Sequence, residues 1–223
     1  MPNFAPASSF AHQFGVKALV YGPPGSGKTP LCNTAPRPVL CISEPGALSL
    51  RNSAIVACEA YTPEAIDDFY RWLFTSKEAV NFDTVCVDSI SQQAEIILDQ
   101  ELKRNKDGRK AYGEMSRRMM EHLNGLYYSR GKHTYLICKQ TTEEIGNVNQ
   151  RKPYFPGKDL GVKVPHLYDE ILHLDTHNIP GHGAIKAFRC AKSYDTVARD
   201  RSGRLAEFEQ ADLNNLFNKV MQG

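Results

Sequence analysis

The stretch Gly22-Pro23-Pro24-Gly25-Ser26-Gly27-Lys28-Thr29 matches the phosphate-binding loop (P-loop) pattern, and it directly follows an apolar run, residues 16–21, that predicts a buried strand. The glycines let successive backbone N–H groups turn toward a pyrophosphate. In this pattern Lys28 reaches the β- and γ-phosphates and the Thr29 hydroxyl ligates Mg²⁺. The alternative is a Gly/Pro turn that binds nothing. We therefore predict a site for ATP and Mg²⁺ that is formed by Gly22, Pro23, Pro24, Gly25, Ser26, Gly27, Lys28, Thr29 and Pro30.

The composition is that of an ordinary globular protein. Of the 223 residues, 41% are hydrophobic and 23% are charged, which suffices for a sizeable core. The six cysteines are scattered without a CxxC pair, and the first fifteen residues hold no Lys or Arg, whereas a secretory signal peptide would carry one there. No apolar run approaches the roughly 18 residues of a membrane span. These features predict reduced thiols, a cytoplasmic location and no membrane contact.

Strand-like apolar runs alternate with helical patterns, which predicts an α/β fold with a mostly parallel central sheet flanked by helices. The predicted strands cover residues 16–21, 38–43, 54–58, 84–88, 134–139, 170–175 and 184–191. The predicted helices cover about residues 62–74, 89–104, 112–129 and 212–221. Since no repeat or linker interrupts the chain, we predict an N-terminal arm over residues 1–13 and a single domain over residues 14–223.

Two carboxylates at the ends of predicted strands complete the nucleotide site. Asp88 ends one strand and is predicted to hold Mg²⁺ through water, although it could also serve only as a helix cap. Hydrolysis further needs a group that orients or deprotonates water, which the following Ser89 cannot do. Glu44 ends another strand, and the carboxyl ends of neighbouring parallel strands converge on a ligand. We predict Glu44 as the catalytic carboxylate; the alternative is a solvated Glu at a strand end.

The order of the P-loop, Glu44, Asp88 and Gln140 resembles the RecA-type recombinase core. In that family a catalytic Glu, a metal-binding Asp and a Gln that senses the γ-phosphate end successive strands, and Gln140 follows the apolar run 134–139. More closely, the chain is similar to phage RecA-like P-loop ATPases that are linked to single-strand annealing. The shared features include Gly22–Thr29, Val85–Ser89 and Ala198–Leu205, within a resemblance that covers about residues 14–210. It implies a RecA-like P-loop NTPase fold and, for a phage protein, the host cell cytoplasm.

The resemblance also implies two DNA-facing loops. The first spans residues 104–112, inside a segment, residues 103–118, that holds seven basic and two acidic residues although the net charge of the chain is only +2. The second spans residues 141–155, and its glycines suit a segment that orders only on binding. Cations and aromatic rings suit single-stranded DNA, whereas a solvated helix end is the alternative for the basic segment. The predicted DNA-binding residues are Lys103, Arg104, Lys106, Arg109, Lys110, Arg151, Lys152 and Tyr154.

RecA-like ATPases act as oligomers, so the resemblance implies a filament or a ring of identical chains. A basic residue of one subunit can reach the nucleotide of the next, and Lys192 is the predicted candidate, with Arg199 and Arg201 behind it. Rad-type recombinases polymerise through a Phe-x-x-Ala segment, which both Phe4–Ala7 and Phe188–Ala191 match. A single-strand DNA-binding protein is a further predicted partner.

The main hypothesis is an Mg²⁺-dependent ATPase that binds single-stranded DNA as an oligomer and promotes single-strand annealing or homologous recombination. Lys28, Glu44, Gln140 and Lys192 hold the catalytic roles. One alternative is a nucleotide-gated interaction protein with little hydrolysis that serves replication or repair. Another is a P-loop kinase of a small metabolite, although no Arg-rich lid stands apart from the basic segment.

Two residues of the chain differ from the family pattern. Pro30 follows Thr29 where a second hydroxyl residue is usual, and Ser89 follows the metal Asp where many ATPases have Glu. Pro is tolerated in a first helical turn because its missing N–H has no intrahelical partner there. Both departures are compatible with nucleotide binding but predict slow hydrolysis. A zinc site at His173, His177 and His182 is disfavoured, since no Cys or carboxylate completes a tetrahedral spacing.

Overall fold

The structure, a computed structural model, describes residues 4–10, 13–181 and 183–222. Its strands are β1 (Lys17–Tyr21), β2 (Pro38–Ile42), β3 (Val56–Glu59), β4 (Thr84–Asp88), β5 (His133–Cys138), β6 (Gln140–Ile145), β7 (Val148–Pro153), β8 (Glu170–Ile179), β9 (Gly183–Arg189), β10 (Arg199–Asp200) and β11 (Phe208–Gln210). Its α-helices are α1 (Pro63–Thr75), α2 (Ile90–Arg104), α3 (Gly108–Tyr127), α4 (Asp159–Leu167) and α5 (Leu213–Met221). The arm predicted for residues 1–13 lies partly outside the described residues, and the domain boundary stays a prediction.

One large sheet dominates the described part of the chain, in the order β11-β9-β8-β1-β5-β4-β2-β3, with β10 paired to β8. The strands from β8 to β3 along this order run parallel, whereas β9, β10 and β11 pair antiparallel. β1 lies between β5 and β8, with Leu19 opposite both Leu136 and Ile171. The predicted α/β fold with a mostly parallel sheet flanked by helices is confirmed, and the P-loop follows a central strand.

Side chains of each strand alternate between the two faces of the sheet, which creates two apolar cores. On one face, Leu19 and Tyr21 of β1 pack in the core that α1, α2, α3 and α4 share. On the other face, Ala18 and Val20 pack with α5 and with a short 3-10 helix, Thr29–Thr34, that follows the P-loop. Because both faces are covered, the edge at the carboxyl ends of the parallel strands is where a ligand can bind.

The first predicted DNA-facing loop is wrong in its conformation. Helix α2 continues to Arg104 and α3 begins at Gly108, so only residues 105–107 connect two helices. The cause is Asp107, whose carboxylate accepts a hydrogen bond from the backbone N–H of Arg109 at 2.9 Å and caps α3. Four of the five predicted basic residues of this region therefore lie on helix ends, and Lys106 lies between them.

The second predicted loop is also wrong in its conformation. Residues 140–153 form an antiparallel hairpin, β6 and β7, in which Ile145 pairs with Val148 across a two-residue turn. Gly146 adopts a φ of 64°, which glycine tolerates at little cost, and Asn147 completes the turn. The hairpin is followed by α4, which the apolar spacing of the sequence did not reveal.

Glu170 is a carboxyl group inside the central sheet. It is fully buried in β8, and both of its carboxylate oxygens lack a hydrogen-bond partner among the described residues. Asp200 of β10 lies opposite it in register. Burial, reinforced by the negative charge of Asp200, raises the pKa of Glu170 to about 8. The folded chain therefore holds a proton on Glu170 that the unfolded chain releases above pH 4.5.

We expect the free energy of unfolding to fall as the pH rises from about 5 to about 8, and this fall to be smaller in Glu170→Gln. The reason is that the folded state binds one proton more than the unfolded state in this range. The free energy of unfolding then falls by up to about 1.4 kcal/mol per pH unit. Denaturant unfolding at several pH values measures this slope. The exposed Glu78→Gln variant is the control, and equal slopes in wild type and Glu170→Gln would contradict the expectation.

Candidate nucleotide site

The P-loop begins where β1 ends, and its backbone conformation depends on glycine. Gly25 and Gly27 have φ values of 80° and 92°, in the left-handed region that other residues avoid. Gly22 lies against β8, where a side chain would collide with the carbonyl oxygen of Leu174. The glycine spacing in the sequence thus reflects both the loop conformation and the close approach of a neighbouring strand.

Lys28 is folded back onto its own loop. Its Nζ donates hydrogen bonds to the carbonyl oxygens of Gly22 at 2.8 Å and Pro23 at 2.9 Å, and lies 3.3 Å from the Ser26 hydroxyl. Burial lowers the pKa of Lys28, while the negative charges of Asp88 and Glu44 oppose this shift. The loop carbonyls therefore hold the ammonium in the place from which it can turn to a phosphate.

Thr29 and Asp88 meet as the sequence predicts for a magnesium site. The Thr29 hydroxyl donates a hydrogen bond to Asp88 Oδ2 at 2.5 Å. Burial raises the pKa of Asp88, and the Thr29 hydrogen bond and the Lys28 charge act in the opposite direction. A hydroxyl and a carboxylate beside a phosphate loop suit Mg²⁺, which takes one or two protein oxygens and completes its shell with phosphates and water.

Glu44 is brought to the same pocket. It follows β2, which pairs with β4 so that Ile42 lies opposite Asp88. Thr29, Glu44 and Asp88 line one small pocket beside the P-loop. Glu44 Oε1 accepts a hydrogen bond from the Ser89 hydroxyl at 2.5 Å.

The sequence predicts a helix that begins near Ser89, but it did not reveal that the Ser89 hydroxyl also contacts Glu44. The same hydroxyl oxygen accepts a hydrogen bond from the Gln92 backbone N–H at 3.2 Å, which makes Ser89 the N-cap of α2. One hydroxyl thus fixes the start of a helix and the orientation of the predicted catalytic carboxylate. The signal in the sequence was the Ser itself, at the position that many ATPases give to Glu.

Gln140 lies at the start of the hairpin and contacts β8. Its Oε1 lies 2.9 Å from Nε2 of His173, a fully buried residue whose ring packs against Tyr21 at 5.0 Å between centroids. Burial lowers the pKa of His173 to about 4, so the ring is neutral near pH 7 and donates from Nε2 to Gln140. Gln140 therefore connects the base of the hairpin to the strand next to the P-loop, a contact that the sequence does not reveal.

The predicted DNA-binding residues separate into paired and unpaired cations. Lys103 binds Asp99, and Arg104 lies within 4 Å of both Glu64 and Glu101. On the hairpin side, Arg151 binds Asp195 and Lys152 binds Glu143, whereas Tyr154 is half-buried. In the described part of the chain no carboxylate pairs with Lys106, Arg109 or Lys110, which are exposed. Among the predicted DNA-binding residues, the unpaired cations thus lie in the α2–α3 corner, residues 105–110.

Other predicted residues lie apart from this centre. Lys192 is exposed on the connection between β9 and β10. His173 and His177 contact each other edge-to-face at 5.5 Å, and His182 lies outside the described residues. Within the described ranges, no group of three or more His, Cys, Asp or Glu side chains is placed to hold a metal ion by itself.

Comparisons with known proteins show which family the chain belongs to. A family model described as an AAA domain matches residues 15–202. The chain belongs to the AAA domain family. The P-loop, the Thr29–Asp88 pair and this match agree that it is a P-loop NTPase-type protein, for which nucleotide binding is the shared property.

No curated protein matched the sequence of this AAA domain protein. Among solved structures, a KaiC-like protein from the hyperthermophilic archaeon Pyrococcus horikoshii OT3 is similar at 16% identity and a TM-score of 0.44, over 82% of this chain and 81% of that one. A similarity of this size carries no argument about function. In residues 4–10, 13–181 and 183–222, no helix is long and apolar enough to cross a membrane.

We expect Asp88→Asn to reduce the gain in ADP affinity that Mg²⁺ provides by about tenfold or more. The carboxylate would hold the ion through water, and losing a charge-assisted hydrogen bond costs about 1.5–3 kcal/mol. Titration calorimetry with ADP, in Mg²⁺ and in excess chelator, measures the gain. Asp83→Asn, at the residue directly before β4 begins, is the matched control. An unchanged gain in Asp88→Asn would exclude Asp88 from the metal site.

Proposed function

We propose that the protein is an Mg²⁺-dependent ATPase that binds single-stranded DNA and promotes single-strand annealing or homologous recombination. The observation that carries the proposal is the convergence of Thr29, Asp88 and Glu44 on one pocket beside Lys28. This set contains a phosphate ligand, a metal pair and a second carboxylate. Binding alone requires only the first two, so the third favours hydrolysis.

Each residue has a task in this reaction. Lys28 leaves the carbonyl oxygens of Gly22 and Pro23 and neutralises the β- and γ-phosphates. Mg²⁺, held by Thr29 and Asp88, supplies further positive charge to the phosphates when bound. Glu44 accepts a hydrogen bond from the attacking water and orients it for attack on the γ-phosphate. The Ser89 hydroxyl holds the Glu44 carboxylate in place but also occupies one of its oxygens, which is consistent with slow turnover.

The first segment that the resemblance assigns to DNA lies beside residues that follow the second. Tyr112 of α3 packs so closely on Gly157 that a side chain there would lie 2.9 Å from its ring. Ser116, one turn further along, hydrogen-bonds Asp159 at the start of α4. The α2–α3 corner therefore borders the segment that follows the β6–β7 hairpin. Because Arg151 and Lys152 of the hairpin are paired, we assign phosphate binding to the unpaired cations Lys106, Arg109 and Lys110.

The hairpin is connected to the nucleotide site through β1. The Tyr21 hydroxyl, one residue before the P-loop, lies 3.1 Å from the carbonyl oxygen of Arg151 and 2.6 Å from that of Val197. Gln140 adds the contact with His173 at the hairpin base. A shift of the P-loop on ATP binding would change these contacts, which provides a route by which ATP favours the DNA-bound state.

A nucleotide-gated interaction protein is the second candidate function. The hydrogen bond between Ser89 and Glu44 favours it, since a carboxylate engaged in this way is a poor base. In that case ATP would be bound and hydrolysed negligibly, and the protein would recruit replication or repair partners.

We expect single-stranded DNA to raise steady-state ATP turnover, and the Lys106/Arg109/Lys110→Ala variant to need about tenfold or more DNA for the same effect. These three are the unpaired cations among the predicted DNA-binding residues, and each contact with a phosphate is strengthened by counterion release. A coupled-enzyme ATPase assay against oligonucleotide concentration, at two salt concentrations, measures both quantities.

Two controls make this experiment decisive. Lys77/Arg130/Arg204→Ala removes the same charge elsewhere and should behave as wild type. Glu44→Gln should abolish turnover with and without DNA, which excludes a contaminating ATPase. DNA-independent turnover in all proteins would refute the coupling to DNA, and negligible turnover that Glu44→Gln does not change would favour the interaction protein.

Self-association is part of the proposal, and the exposed edge of the sheet supports it. All four residues of β3 are exposed, including Val56 at 56%, and beside them runs an apolar groove that Ala65, Phe69 and Trp72 of α1 line. Phe4, in the first Phe-x-x-Ala match, is 90% exposed. Phe188, in the second match, is fully buried in β9 and therefore unavailable. We assign the groove as the site that receives Phe4 of a second copy, and the role of Lys192 at a neighbouring nucleotide stays a prediction.

We expect the wild type to form oligomers at micromolar concentration, and Phe4→Ala and Val56→Glu each to shift it toward the monomer. Both changes remove apolar burial at one predicted contact, and the second adds a charge to the groove. Sedimentation velocity measures the distribution. Val80→Glu, at a 71% exposed apolar residue elsewhere, is the control. A monomeric wild type, or variants that associate as the control does, would contradict this assembly.

A further inference from the structure

Lys186 lies on the P-loop although it comes from a distant part of the chain. β1 pairs with β8 only as far as His173, but β8 continues to Ile179 and pairs there with β9. The β8–β9 hairpin therefore extends beyond the end of β1, alongside the P-loop. Lys186 is in this extension, opposite Thr176.

The contact between Lys186 and the P-loop is at Gly27, the residue before Lys28. A methyl group in place of the Gly27 hydrogen would lie 2.6 Å from Lys186 Nζ and 3.5 Å from its Cε. The end of the lysine side chain, rather than its stem, thus rests against the loop. Gly27 has the φ of 92° that lets the loop turn its N–H groups inward toward an anion.

The electrostatic setting of Lys186 favours an anion. Within the described residues no carboxylate forms an ion pair with it, whereas most cations of the hairpins and helices nearby are paired. The neighbouring Lys28 is turned toward the carbonyl oxygens of Gly22 and Pro23. Lys186 thus places a second ammonium at the P-loop without an ion-pair partner, and a polyphosphate would supply one.

We propose that Lys186 is a phosphate-binding residue, supplied by the same chain, that contacts the polyphosphate of the nucleotide at Gly27. The inference rests on the proposed nucleotide site and adds a cation to it from the side of β8, whereas Asp88 and Glu44 approach from β4 and β2. It also gives the phosphates a contact with β8, the strand whose His173 binds Gln140.

The test compares the binding of Mg·ADP and of inorganic pyrophosphate to wild type, Lys186→Met, Lys186→Arg and Lys77→Met. Calorimetry measures the ADP affinity, and competition against a fluorescent ADP analogue measures the pyrophosphate affinity. We expect Lys186→Met to weaken both ligands about 10- to 100-fold, the effect of one charge-assisted hydrogen bond. Lys186→Arg should recover most of the affinity, and the exposed Lys77→Met control should match wild type. Equal melting temperatures would show that the variants are folded.

Three results would overturn the assignment. Wild-type affinity in Lys186→Met, together with lost binding in Lys28→Ala, would refute the role of Lys186 and leave the nucleotide site standing. Weakened ADP with unchanged pyrophosphate would move Lys186 from the phosphates to the nucleoside. A wild type that binds neither ligand would refute both this inference and the proposed function.

Discussion

β1 is hydrogen-bonded along both edges, to β5 and to β8, and this pairing determines where the P-loop begins. Because these neighbours run parallel to β1, their carboxyl ends reach the same edge of the sheet. Gln140 follows β5, and the β8–β9 hairpin extends past the loop on the other side. β2 and β4 end at that edge as well and deliver Glu44 and Asp88. A site assembled in this way requires the register of the strands to hold, and the fully buried apolar residues of β1 on both faces maintain it.

The Ser89 hydroxyl shows how closely the fold and the site are joined. It caps α2 and binds Glu44, so the same atom serves helix stability and the orientation of a predicted catalytic group. A Glu at this position would act on water directly, as in many ATPases, but could not cap the helix in the same way. In this chain the predicted catalytic carboxylate, Glu44, follows the neighbouring β2, and the Ser89 hydroxyl that binds it follows β4. The proposed site therefore contains a carboxylate although the usual Glu is absent.

Features that depend on neighbouring residues along the chain, or on where a strand ends, could be predicted from the sequence. The P-loop, Asp88 and Glu44 could be placed because each directly follows an apolar run, and parallel strands bring such residues together. The hairpin at residues 140–153 was missed although Gly146-Asn147 is a turn signal, because the resemblance suggested a loop. Lys186 could not be found at all: it is 159 positions from Gly27, and only the length of the β8–β9 hairpin brings them into contact.

The charges of the site point to the ligand that would complete it. Burial raises the pKa of Asp88 and lowers that of Lys28, because it makes the charged form of each group less stable. Their mutual attraction and the Thr29 hydrogen bond recover only part of this cost. Mg²⁺ at the carboxylate and a polyphosphate at the ammonium would recover more, since each places an opposite charge in direct contact. Lys186 forms no ion pair among the described residues, and a polyphosphate would give it one. A site that holds a half-buried ammonium and a half-buried carboxylate beside a glycine-rich loop is therefore consistent with the proposed ligand, a polyphosphate with its metal ion.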